Sequence, residues 1–191
     1  MGPEILDRME RAVVKVRERL LRATAALQAA GIDYAVIGGN AAAWWVATID
    51  ESAVRNARNV ELLVRRDDLE SITAAFEHAG FLSASLSAPV VFCDRPTGKP
   101  RDGIYLTFCD EHICPEHIWP APEIITVSDA VGFKVLQLEL LLQLLLIRNR
   151  SEDGMLARDL FSVGLVDQSW PARFPGELAA RLQHLLDIPD G

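Results

Sequence analysis

The chain has 191 residues, half of them apolar and 24% charged, an ordinary globular composition with enough length for one domain and a core of its own. Its 27 acidic residues outnumber its 19 basic ones, for a net charge of −8 and a pI near 5.0. That balance excludes a broad nucleic-acid surface, which needs clustered Lys and Arg, but leaves room for a local basic pocket. Cys93, Cys109 and Cys114 are odd in number and show no C-x-x-C spacing. They read as reduced thiols, and with no signal-type apolar run at the start the chain is expected in the cytoplasm.

In chain order, Ile5, Met9, Val13, Val16, Leu20 and Leu27 recur near helical spacing and predict a first helix over residues 3–30, stopped by Gly31. Residues 33–37 form a short apolar strand, and Gly38 and Gly39 turn it into a second helix through Trp44 and Trp45. As neighbours on a helix, the two tryptophans are expected on different faces. Polar residues 48–58 predict a loop and residues 59–64 a second strand. Asp67 or Asp68 is placed to cap a third helix ending near Gly80. Weak alternation over 81–92 predicts one or two strands, the Pro- and Gly-rich stretch 94–103 a turn, and 104–108 a further strand.

Pro115, Pro120 and Pro122 make residues 114–122 a loop, and Ser128 is placed to start a short helix. The segment from Leu136 to Ile147 is almost solid leucine, too short for a membrane span of about 20 residues. A helix apolar on nearly all sides is either central to the core or shared with another chain. Last come helices over 153–163 and 176–186. The sum is an α/β (α+β) chain, a mixed sheet of four or five strands flanked by helices. Its core covers residues 1–127, and a helical region over residues 128–191 packs on it.

The chemistry concentrates where residues 34–41 read Tyr-Ala-Val-Ile-Gly-Gly-Asn-Ala, followed by Arg55, Arg58, Asn59, Glu61 and Leu-Leu-Val. A strand that turns through two glycines into a helix lets backbone N–H groups and the helix N-terminus approach a triphosphate. Strand positions i and i+2 point to the same face, so 59 and 61 are a place for paired metal-binding carboxylates. The tail adds Glu139, Arg150, Asp153, Arg158-Asp159-Leu160, Val163-Gly-Leu-Val-Asp167 and Trp170. On these motifs the chain resembles the nucleotidyltransferase-like proteins of the polymerase-beta-like superfamily. It is similar to a bacterial family related to the minimal nucleotidyltransferases and the AbiEii-type toxins, over roughly residues 30–187.

The resemblance implies transfer of a nucleoside monophosphate from a nucleoside triphosphate, with two Mg²⁺ ions clamping the attacking and leaving oxygens. It makes Gly38, Gly39 and Asn40 the nucleotide cradle, Arg55 and Arg58 phosphate-binding groups, and a toxin–antitoxin-like pair a plausible setting. Three carboxylates should hold the metals. Here those positions carry Asn59, Glu61 and, on the strand 104–108, Tyr105. Ala57 stands where relatives often have Thr, and Leu145, Glu152 and Leu156 stand where they have Lys, Lys and His.

Glu61 is left as the carboxylate candidate for a metal at these positions, and a two-metal clamp would need Asp50, Glu51 or Asp110 to swing in. Two readings stay open. One is a degenerate, non-catalytic nucleotidyltransferase-fold protein that binds a nucleotide or a protein partner, with a homodimer or partner contact through the Leu136 to Ile147 helix. The other is an active Mg²⁺-dependent enzyme with an atypical Asn-x-Glu site. Cys109, His112, Cys114 and His117 could be drawn as a zinc site, but the resemblance gives them no ligand role.

Overall fold

The first helix, α1 (Pro3–Ala29), buries Val16, Leu20, Ala23, Thr24 and Leu27, a face repeating every three or four residues. Gly31, with φ +68°, takes the left-handed conformation that ends it. In this computed structural model, which describes residues 3–188 except 86, 88, 97 and 129–131, the helix leads into a seven-stranded mixed sheet. Its strands are β1 (Tyr34–Ile37), β2 (Val60–Val64), β3 (Phe81–Ser85), β4 (Val90–Asp94), β5 (Ile104–Phe108), β6 (Thr126–Ser128) and β7 (Lys134–Leu136). They lie in the order β3-β4-β5-β2-β1-β7-β6. β1 is antiparallel to β2 and parallel to β7, and β2 is parallel to β5. All four residues of β1 are buried, as suits an inner strand. β2 is buried at every position except Glu61, so the one carboxylate of this strand lies in the middle of the sheet.

The remaining helices are α2 (Gly38–Ala47), α3 (Leu69–His78), α4 (Leu138–Arg148), α5 (Ser151–Ser162) and α6 (Gly176–Asp187). α1 packs with α3 and against β2, while α2 packs with α4 and α5 and against β1, β2 and β7. The helical C-terminal third thereby closes over the strand–turn–helix that opens the sheet. No helix among the described residues is long and apolar enough to cross a membrane.

Several expectations need correction. The sheet has seven strands rather than four or five, because the hairpin of β6 and β7 adds two. Ser128 ends a strand instead of starting a helix, and residues 129–131, over which the expected short helix would run, lie outside those described. Three-residue strands show too little alternation to stand out. The expected division between residues 127 and 128 falls inside β6, and β7 pairs with β1, so the sheet reaches into the segment read as helical. The leucine run starts as strand at Leu136 and becomes helix only at Leu138. Within α4, Leu141, Leu142 and residues 144–148 are buried and none is exposed. Its apolar character is accounted for by burial inside this chain.

Candidate active site

The register brings the predicted residues together. Ile37 pairs with Glu61 across β1 and β2, and Glu61 pairs with Tyr105 across β2 and β5. Gly38, next after Ile37, has φ +62°, and a Cβ there would lie 2.7 Å from Glu61 Cδ and 2.8 Å from each carboxylate oxygen. The glycine is required twice over, for its left-handed backbone and for the carboxylate pressed against it. A Cβ at Gly39 would come 3.1 Å from Ala57 Cβ. Asn40 Nδ2 donates to the Asn59 carbonyl at 2.7 Å, tying the first turn of α2 to the entry of β2. Asn59 itself lies just before β2, so the expected i, i+2 pair on one strand is replaced by a residue outside the strand and Glu61 within it.

The partner of Glu61 comes from the junction of α4 and α5. Arg148 Nη1 donates to Glu61 Oε2 at 2.5 Å, and Arg148 Nη2 donates to Asp153 Oδ1 at 2.5 Å. Arg150 binds the same aspartate through Nε at 2.8 Å and Nη2 at 3.1 Å, and its Nη2 lies 3.9 Å from Glu61. The side chains of Arg148, Asp153 and Glu61 are 5%, 1% and 14% exposed, and that of Arg150 is half exposed. Two guanidiniums and two carboxylates thus form a neutral cluster. Such an arrangement survives burial only because each charge has hydrogen-bonded partners. Arg148 Nε is buried with no hydrogen-bond partner among the described residues. The hydrogen bond to Asp153, and then the carboxylates around it, hold Arg150 still more firmly in its charged form, against the opposing effect of burial.

Local sequence explains the delivery of these groups. Asn149 adopts a left-handed conformation, φ 49°, and ends α4 straight after Arg148. Arg150 then caps α5, with Asp153 accepting from the Arg150 backbone N–H at 3.2 Å. Neither Arg148 nor Asp153 had been assigned a role from the sequence. The available signal was a basic residue closing an otherwise apolar helix. Leu145 is buried and Glu152 exposed, while Arg148 and Arg150 supply positive charge to the site.

Mg²⁺ takes hard oxygen ligands in near-octahedral geometry, and a two-metal site gathers several carboxylates around its ions. At this site the Glu61 carboxylate lies against Gly38, and its Oε2 already accepts from a guanidinium. Burial pushes the Tyr105 phenol up, and Cys93, Glu61 and Asp102 add to this, so the group is neutral near neutral pH. Its hydroxyl donates to the Pro100 carbonyl at 2.9 Å. The residues present do not fit a two-metal clamp. Among the described residues no group of three or more His, Cys, Asp and Glu side chains is placed to hold a metal ion, and the zinc drawing does not form either. There, His112 Nδ1 instead lies 2.6 Å from the His117 carbonyl, Cys109 is buried and Cys114 exposed.

Arg55 Nε and Nη2 donate to the two carboxylate oxygens of Asp159 on α5 at 3.0 and 2.9 Å. Arg58 is exposed and makes no ion pair among the described residues. Trp44 and Trp45, expected on different faces, touch edge to face with centroids 4.9 Å apart, because large rings reach around the helix. Trp45 Nε1 donates to the Leu136 carbonyl at 3.1 Å and ties α2 to β7.

No protein-family model and no curated protein matches this chain. Solved structures do. The solution structure of the antibiotic-resistance factor ANT(2'')-Ia is similar with a TM-score of 0.55 at 12% identity, over 92% of this chain and 91% of that one. An antigenic nucleotidyltransferase-like protein from Paracoccidioides brasiliensis is similar with a TM-score of 0.52 at 18% identity, over 93% and 86%. JHP933 from Helicobacter pylori is similar with a TM-score of 0.51 at 14% identity, over 93% and 75%. The strand–Gly-Gly–helix turn, the β2–β5 register and these likenesses agree: the chain has a nucleotidyltransferase-like fold.

Proposed function

We propose that this chain is a non-catalytic nucleotidyltransferase-fold protein that binds nucleotide phosphates through arginine instead of metal. The observation that carries the reading is the 2.5 Å contact between Arg148 Nη1 and Glu61 Oε2. A guanidinium occupies the place of a divalent cation beside the surviving carboxylate, and Asp153 fixes that guanidinium from behind. Fold alone says nothing about activity, so the argument rests on the site. Two-metal transfer needs clustered anionic ligands, and this cluster is already neutral without metal. Gly38, Gly39 and Asn40 keep the turn into α2. Arg150, half exposed beside Glu61, and Arg58, exposed and without an ion pair among the described residues, are the groups for a phosphate.

Calorimetric titration with ATP, GTP, CTP and UTP, each with and without Mg²⁺, tests the reading. Binding that is independent of Mg²⁺ and weakened by Arg58→Ala and Arg150→Ala supports it. Mg²⁺-dependent binding lost in Glu61→Ala overturns it in favour of an active enzyme with an atypical Asn59–Glu61 site. Silence with all four nucleotides removes the nucleotide and turns attention to a protein partner, as in a toxin–antitoxin-like pair.

A further inference from the structure

A second cation-rich site lies away from the Gly-Gly turn. A cavity of about 380 Å³ opens between α1 and the β4–β5 connection, lined by Lys15, Arg19, Arg22, Arg95 and Lys99. Three acids, Glu18, Asp94 and Asp102, also line it, leaving an excess of two positive charges in a chain whose net charge is −8. The acids do not cancel the cations evenly. Asp94 is consumed by Arg19, whose Nε and Nη2 donate to it at 2.8 and 2.6 Å, and by Arg22. Arg19 is 7% exposed and Arg22 stacks over the Phe81 ring at 4.2 Å, so this wall is fixed before any ligand arrives. Lys15, Arg95 and Lys99 make no ion pair among the described residues. Gly98 closes the turn tightly, since a Cβ there would lie 2.5 Å from Asp94 N and 2.6 Å from Asp94 O.

We infer that this cavity is a binding site for a small condensed phosphate, a diphosphate group held by Lys15, Arg95 and Lys99 above the Arg19–Asp94 pair. Clustered, unpaired cations around a concave surface favour a ligand with several negative oxygens close together. The volume is at the small end of ligand pockets, which run from about 300 to 1,000 Å³. Among the described residues no aromatic side chain lines it to stack a base. The site shares no residue with the Glu61–Arg148–Asp153–Arg150 cluster and uses no metal.

The test is calorimetric titration of the full chain with pyrophosphate, and with sulfate at matched ionic strength. Pyrophosphate is expected to bind at least about tenfold tighter than sulfate, and the Lys15→Ala/Lys99→Ala variant to lose at least about tenfold of that affinity. Lys15→Arg/Lys99→Arg retains binding. Circular dichroism confirms that each variant is folded, which these exposed lysines make straightforward. Pyrophosphate binding no tighter than sulfate overturns the inference, as does undiminished binding in the double alanine variant.

Discussion

Replacing Arg148 by methionine removes the guanidinium that joins Glu61 to Asp153 while keeping most of the side-chain volume. Asp153, 1% exposed, retains Arg150 through contacts at 2.8 and 3.1 Å. Glu61, 14% exposed, is left with the half-exposed Arg150 at 3.9 Å. Breaking a buried ion pair from one side typically costs about 3–5 kcal/mol. Because Asp153 keeps a partner, the expected loss is at the lower end, about 3 kcal/mol. With a urea m-value of about 2 kcal/mol/M, the midpoint falls by about 1.5 M, followed by tryptophan fluorescence and circular dichroism. Adding Glu61→Gln to Arg148→Met removes the stranded charge and should recover about 1–2 kcal/mol. A loss below about 1 kcal/mol, or a double variant no more stable than the single one, would refute the argument that this cluster is a fixed, buried unit.

Gly38→Ala is expected to cost about 2–4 kcal/mol, from the positive φ and the Glu61 carboxylate in its way, whereas Gly31→Ala, with positive φ but open space, should cost only about 1–2 kcal/mol. Equal losses in chemical denaturation would mean that the carboxylate does not lie against the turn. Arg55→Ala should lower stability by less than about 1 kcal/mol, because the Arg55 side chain is 62% exposed despite its two-point contact with Asp159. Cys114 alone is exposed, and burial pushes the Cys93 and Cys109 thiols up, so a thiol reagent should modify one cysteine in the folded chain and three in denaturant.

The front of the fold was legible because its signals are local. The apolar run into Gly38-Gly39 and the spacing to Glu61 fix a strand, a turn and a second strand, and the β2–β5 register then puts Tyr105 beside Glu61. β6 and β7 were not legible, since three-residue strands carry no measurable alternation and acquire their identity from pairing with each other and with β1. The charge cluster was hidden for a different reason. Arg148 reaches Glu61 across 87 positions of sequence, through the packing of α4 and α5 on α2, and no local pattern announces that contact. The same holds for the contact of Arg55 with Asp159, 104 positions away. The cavity at α1 joins residues near position 19 to the turn after Asp94, a juxtaposition that only the tertiary structure makes.

The central claim is that Arg148 has taken the metal's place beside Glu61. Titration of the purified chain with Mn²⁺, read by electron paramagnetic resonance in the presence and absence of ATP, tests it most directly. The account predicts no stoichiometric Mn²⁺ site, and the same titration curve for wild type and Glu61→Gln. A stoichiometric site that disappears in Glu61→Gln would contradict it, and would restore Glu61 as a metal ligand.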